Sequence, residues 1–228
     1  MTSKQVATQI RNLLRSLIDS DIAVIIQPVV EEKVGGRTRV TWSPPSFLGR
    51  PLVTDKFATV AEYSDFVEGA LYSAVLYDGA LLQVSYDFTG ADLVGHRLCY
   101  YPCPFDMDQE LIRSEPIGDV IAYYRQSRDV MVNLRSPCRF DYDTANAATG
   151  HAAVHLHLIS AECRWPVSHP VSIGDFVRFV FRRFYPKMWA AHEFLRMWPL
   201  GGPRGRTIAM EEESELHVSC GRLRIETD

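Results

Sequence analysis

The sequence has no cysteine pair of the C-x-x-C type and no strong charge of one sign. Its five cysteines are separated along the chain and odd in number, which argues against both a disulfide framework and a zinc ribbon. The formal net charge is only −4, so the overall charge does not indicate non-specific binding to nucleic acid or to a membrane surface.

Long hydrophobic runs and flexible linkers are also missing. No run approaches the roughly 18 apolar residues of a membrane-spanning helix, and the N-terminal segment, MTSKQVATQIRNLLRSL, has the pattern of an amphipathic helix rather than a signal peptide. We therefore expect a cytoplasmic protein with no membrane partner. Its 228 residues are 46% hydrophobic and contain no evident linker, which predicts a single domain over residues 1–228 with a substantial core.

Four segments have helical periodicity or helix-start signals. Capping-box spacing begins three of them, at Thr2, Thr59 and Ser172. The first predicts a helix over residues 3–19, and the last predicts a long, aromatic-rich helix that Pro186 breaks or kinks. A shorter helix is predicted over 116–126.

Between these helices lie β-rich segments joined by turn signals. Gly35-Gly36 predicts one hairpin, and Asp78-Gly79 predicts another with a type I′ turn, which requires positive φ at both central residues. A strand is expected at 96–101, a strand pair after Pro137, a loop at 201–205 and a last strand near 216–225. Because no βαβ rhythm is present, we predict an α+β fold with a mostly antiparallel sheet, an N-terminal helix and the aromatic-rich helix near the C-terminus.

The most informative segment is CRFDYDTANAATGHAAVHLHL, in which two stretches alternate between apolar and polar residues. Successive side chains of a strand point to opposite faces, so Arg139 and Asp141 share one face of the first arm with Asp143. In the second arm His155 and His157 share one face. If the arms pair across 144–150, we expect all these polar groups on one common, accessible face.

The same pattern predicts a register for this hairpin. It places Asp143 near His151, Asp141 near Ala153 and Arg139 near His155.

Three kinds of chemistry are compatible with these residues. Asp141, His155 and His157 could hold a divalent metal of unknown identity. Without a metal, the two histidines could act as general acid and base on a phosphodiester while Arg139 binds the phosphate. In the third interpretation the polar side chains form only a structural network.

Five sequence blocks resemble those of a bacterial protein family catalogued only as a domain of unknown function. The blocks are LYDGALLQVSYDF, GHRLCYYPCP, RFDYD, HAAVHLHLISAECRWPVSHPVS and FVRFVFRRFYP, and the resemblance runs from about residue 71 to residue 186. The family's characteristic positions correspond here to Arg139, Asp141, His155, His157, Arg164 with Pro166, and Phe184-Tyr185. Trp165 departs from the pattern because it separates Arg164 from its proline. The resemblance implies a stand-alone bacterial cytosolic protein and supplies no activity.

Two functional hypotheses follow. The first is a phosphodiesterase or nuclease-like enzyme that acts on nucleic acid or a nucleotide, with Arg139, Asp141, Asp143, His155, His157 and Arg164 as its site residues. Arg139 and Arg164 would hold phosphate. The second is a non-catalytic adaptor or specificity subunit of a larger protein complex, in genome defence or a mobile element. A third, weaker interpretation is nucleic-acid binding by a basic helix strip at Arg178, Arg182, Arg183 and Lys187.

Overall fold

The computed structural model describes residues 2–43, 58–127, 132–147, 151–160 and 162–198. Within these ranges the helices are α1 (Ser3–Asp19), α2 (Val60–Glu68), α3 (Gln109–Ser114), α4 (Ile117–Gln126), α5 (Ile173–Phe184), α6 (Pro186–Ala191) and α7 (Glu193–Met197). The strands are β1 (Ala23–Ile26), β2 (Val29–Val34), β3 (Arg37–Trp42), β4 (Ala74–Leu76), β5 (Leu81–Thr89), β6 (Asp92–Tyr101), β7 (Cys138–Asp143), β8 (Val154–Leu158) and β9 (Arg164–Pro166).

The strands form one sheet with the order β1-β4-β5-β6-β7-β8-β9, and β3 pairs with both β2 and β5. Every pairing among the named strands is antiparallel. The α+β prediction with a mostly antiparallel sheet is therefore confirmed, as are the N-terminal helix and the helices toward the C-terminus. None of the helices in the described ranges has the length and hydropathy needed to cross a membrane.

The predicted capping boxes begin two of the helices. The Thr2 side chain accepts from the backbone N–H of Gln5 at the start of α1, and Ser172 accepts from that of Asp175 at the start of α5. In both boxes the third helical side chain also accepts a hydrogen bond from the cap backbone N–H. These reciprocal bonds satisfy backbone donors that the first turn leaves open, so both helices begin where the sequence predicts.

The turn between β4 and β5 differs from the predicted type I′ turn. Gly79 has a φ of +82°, whereas Asp78 is outside the positive-φ region. The Gly79 N–H donates to the carbonyl of Leu76, and the Leu76 N–H donates to the carbonyl of Ala80, so the connection has three residues. A glycine with positive φ closes this kind of loop, so the hairpin prediction is correct and the turn type is wrong. The loop and strand predicted at 201–205 and 216–225 lie outside the described residues.

Two hydrophobic clusters cover the two faces of the sheet. On one face α1 and α5 pack against residues such as Val84, Tyr86 and Leu98. On the other face α2 and α4 pack against Val75, Leu81 and Tyr101. Because side chains alternate along β6, the face that carries Cys99 and Tyr101 also carries Arg97, and this face continues onto β7 and β8.

Candidate functional site

The hairpin of β7 and β8 forms in a register two residues away from the predicted one. Arg139 lies opposite His157 rather than His155, and Asp141 lies opposite His155 rather than Ala153. A shift of two residues leaves every side chain on its original face, so the alternating pattern does not distinguish the two registers. The prediction of a shared polar face is correct, and the predicted register is wrong.

The contacts at the end of the hairpin agree with the observed register. The backbone N–H of Asp143 donates to the carbonyl of Ala153, so the strands pair up to this point. The Asp143 carboxylate accepts hydrogen bonds from the backbone of Ala145 and the side chain of Asn146. Asp143 therefore caps the connecting loop and lies opposite Ala153, whereas the predicted register places it opposite His151.

Four side chains meet around the carboxylate of Asp141, and we name the five residues the Asp141 cluster: Arg97, Arg139, Asp141, His155 and His157. Arg139 donates from Nε to Oδ2 of Asp141 over 2.9 Å, and Arg97 donates from Nε to Oδ1 over 3.0 Å. His157 Nε2 lies 3.4 Å from the same Oδ2 atom. The rings of His155 and His157 are 4.7 Å apart between centroids. Both carboxylate oxygens thus face cationic donors.

The Asp141 carboxylate stays ionised in spite of its burial. Burial by itself would raise the pKa of Asp141, but the hydrogen bond with His157 and the charges of Arg97 and Arg139 outweigh burial and hold the pKa well below its usual range. The two guanidinium groups and the single carboxylate together carry one net positive charge.

His155 has a defined tautomer. Its Nδ1 atom is 2.9 Å from the carbonyl oxygen of Ala152, which can only accept, so Nδ1 carries the proton and Nε2 keeps its lone pair. Burial lowers the pKa of His155, with the Ala152 bond acting in the opposite direction. His155 therefore offers a neutral imidazole nitrogen that can accept a proton or bind a metal.

Asp141, His155 and His157 have the donor types of a transition-metal site, as predicted. Each offers a ligand atom within 4.8 Å of the others, and ligands on opposite sides of a metal with bonds of about 2.1 Å are about 4 Å apart. The donors are thus close enough for a metal after a small adjustment. Arg97 and Arg139 already occupy the carboxylate, however, and their charges weaken its attraction for a cation.

Most of the Asp141 cluster is buried, whereas we expected an accessible face. The exposed fractions are 2% for Arg139, 7% for Asp141, 5% for His155 and 3% for His157. The side chain of Arg97 is different, because 24% of it is exposed. Arg97 is therefore the member of the cluster that solvent reaches.

The structure places the last two predicted site residues outside the Asp141 cluster and adds one residue that the sequence prediction did not include. Arg164 lies on β9 opposite His157 and is exposed, while Asp143 is the last residue of β7 and caps the connecting loop. Arg97 enters the cluster because β6 pairs with β7 and places it directly opposite Asp141. The spacing of Arg97 and Cys99 predicts that their side chains lie on the same face of a strand. Only the pairing of β6 with β7 shows that this face is the one that carries the cluster. In the basic helix strip, Arg182, Arg183 and Lys187 are exposed and Arg178 is partly buried.

Comparison with known proteins gives one match. A family model described as an uncharacterized conserved protein (DUF2290) matches residues 25–220. No curated protein and no solved structure matches the chain. The matched range contains all five residues of the Asp141 cluster, and the family's description states no activity.

Proposed function

This chain belongs to the family of uncharacterized conserved proteins DUF2290, and we propose that it cleaves phosphodiester bonds in nucleic acid or a nucleotide. The observation that carries this proposal is the meeting of two imidazoles, one carboxylate and two guanidinium groups on a single sheet face. Imidazoles supply proton transfer and guanidinium groups bind phosphate, so this set contains the groups that metal-free phosphodiester cleavage requires.

The contacts support a separate role for each histidine in this proposal. His155, neutral and with a free Nε2 lone pair, takes a proton from the attacking water as the water oxygen bonds to phosphorus. His157 lies beside Asp141 and gives a proton to the ester oxygen as the bond between that oxygen and phosphorus breaks. The buried side chain of Arg139 holds the Asp141 carboxylate in position through its Nε bond to Oδ2. The role of Arg139 and Arg164 in binding phosphate stays a prediction. The role of Asp143 as a catalytic residue also stays a prediction.

The test is cleavage of a single-stranded oligonucleotide and of bis(p-nitrophenyl) phosphate. Replacing either histidine, as His155→Gln or His157→Gln, should lower kcat by about 10²-fold or more, which is the usual contribution of a general acid or base. His96→Gln is the matched control, because His96 is also 5% exposed but accepts a hydrogen bond from the Val171 N–H on the opposite sheet face. This variant should keep the kcat of its folded fraction. Full cleavage by folded His155→Gln protein would remove the assignment.

The same preparations test the predicted divalent metal. Elemental analysis measures bound metal, and cleavage is repeated after chelation. Activity that survives chelation supports the metal-free mechanism, whereas a stoichiometric metal that is lost in His155→Gln supports Asp141, His155 and His157 as ligands.

The burial of the cluster favours a second candidate, the non-catalytic adaptor or specificity subunit. In that case the Asp141 cluster is a structural network whose hydrogen bonds hold β6, β7 and β8 together. Loss of one buried partner should then cost roughly 1–3 kcal/mol of unfolding free energy. A large drop in melting temperature for His157→Gln, in a protein with no cleavage, supports this candidate over the enzyme.

A further inference from the structure

The two arginines of the Asp141 cluster bond to the same carboxylate and differ in how much of their side chains is exposed. Each donates through Nε to one oxygen of Asp141, whereas a guanidinium and a carboxylate can also form a two-point pair. The side chain of Arg139 is 3% exposed, whereas that of Arg97 is 24% exposed.

Arg97 makes no other hydrogen bond with the part of the chain that the structure describes. The described residues therefore leave both of its Nη groups available as donors. A guanidinium presents such donors in a fixed plane that matches two oxygens of a phosphate.

A second arginine on the same sheet shows the contrast. Arg39 is 25% exposed at its side chain and also pairs with a strand carboxylate, that of Asp87. It makes both bonds of the pair, from Nε to Oδ1 over 2.7 Å and from Nη2 to Oδ2 over 3.1 Å. Arg97 is seen to bond to Asp141 through Nε alone, and Oδ2 of Asp141 accepts from Arg139 instead.

We propose that Arg97 is the phosphate-binding residue of this site, and that its free Nη groups take two oxygens of a phosphate ester. This inference rests on the proposed function. It assigns the phosphate to a residue that the sequence pattern did not select, in place of the buried Arg139. The position supports the assignment, because Arg97, Asp141 and His155 lie opposite one another on three neighbouring strands and share one face. The net positive charge of the cluster also favours an anion.

Titration calorimetry on the full chain tests the inference with three probes: inorganic phosphate, adenosine 5′-monophosphate and a single-stranded DNA oligonucleotide. We expect Arg97→Gln to weaken binding by roughly tenfold or more, since hydrogen bonds to charged groups of this kind change affinity by that factor. Arg39→Gln is the matched control and should leave the affinity unchanged. Equal affinities for phosphate and nucleotide indicate a phosphate site alone, whereas a much higher affinity for the oligonucleotide identifies nucleic acid as the source of the phosphate.

Arg97→Lys covers the case in which Arg97→Gln does not fold. Lysine keeps the positive charge and one bond to Asp141 but lacks the planar pair of donors, so the folded protein should still bind phosphate more weakly than wild type. The inference is overturned if wild type binds none of the three probes, or if Arg97→Lys binds them as tightly as wild type. These outcomes are separate from those of the cleavage assay: phosphate binding that depends on Arg97 in a protein without cleavage leaves this inference standing and removes the proposed enzyme.

Discussion

At the scale of single residues, the charge balance of the Asp141 cluster depends on Asp141 alone. Its carboxylate faces Arg139, which is almost fully buried, and Arg97, which is partly buried. In Asp141→Asn both guanidinium groups lose the carboxylate that they share, and Arg139 stays desolvated. Removing one partner from a buried ion pair typically costs about 3–5 kcal/mol, and we expect a loss of that size in the unfolding free energy from urea denaturation.

Asp87→Asn provides the comparison for this prediction. Asp87 also pairs with an arginine, but the side chains of this pair are 25% and 19% exposed. Solvent screens such a pair, so its loss should cost about 1 kcal/mol or less. Equal losses in the two variants would contradict the view that Asp141 compensates a buried charge.

The residue pattern predicts which side chains share a face and fails to predict their surroundings. Alternation along each arm correctly groups Arg139, Asp141, His155 and His157, because side-chain direction in a strand is a local property. It misses Arg97, which reaches Asp141 only through the pairing of two strands separated by a long connection. It also misses the burial of the histidines, since the layer that covers a sheet face is set by packing between distant segments.

At the scale of elements, the register of β7 and β8 determines which polar residues meet. Cys138 lies opposite Leu158 in the observed register and would lie opposite Leu156 in the one predicted from the sequence. Opposite residues have Cα atoms about 4.5–5.5 Å apart, within the range a disulfide can bridge. We therefore expect Leu158→Cys to form a disulfide with the native Cys138 under mild oxidation, detected by non-reducing peptide mapping.

Leu156→Cys is the matched variant for this experiment. Leu156 is also partly buried and lies two residues away on the same face, at a diagonal distance of about 7–8 Å from Cys138. Such a distance exceeds what a disulfide spans without backbone movement. Cross-linking through position 156 in preference to 158 would show that the hairpin has the register that places Arg139 opposite His155.

Elements with local start signals are the part of the fold that sequence predicts well. Capping boxes mark the starts of α1 and α5 because the donors and acceptors of the cap lie within three residues of one another. The turn after β4 is less predictable, since Asp-Gly suits a two-residue and a three-residue loop alike and Leu76 pairs with Ala80 only in the latter. Helix α3 has no capping-box spacing and no clear helical periodicity, so the sequence does not predict it.

At the scale of the whole molecule, one sheet joins the two hydrophobic clusters. Strand β5 contributes Leu82 and Val84 to the cluster beneath α1 and α5, and Leu81 to the cluster beneath α2 and α4. Both clusters therefore lose support when β5 separates from β6. This arrangement leads us to expect that the protein unfolds as one cooperative unit, and the single domain over residues 1–228 stays a prediction.

A substitution on one face should therefore destabilise the other face by the same amount. Leu13 of α1 is 1% exposed within the first cluster, and Leu13→Ala should cost about 2–5 kcal/mol through the cavity that it leaves. Trp42 belongs to the second cluster, so the fluorescence of a variant in which Trp42 is the sole tryptophan reports from the opposite face. We expect Leu13→Ala to shift the urea midpoint of the Trp42 fluorescence by the same amount as the urea midpoint of the far-ultraviolet circular dichroism. Arg15→Ala, at an 83% exposed side chain of the same helix, should move neither transition by more than about 0.5 kcal/mol. A Trp42 transition that stays in place while the helical signal is lost earlier would show two units that unfold separately. That result would contradict the prediction, because a sheet shared by both clusters cannot unfold on one face alone.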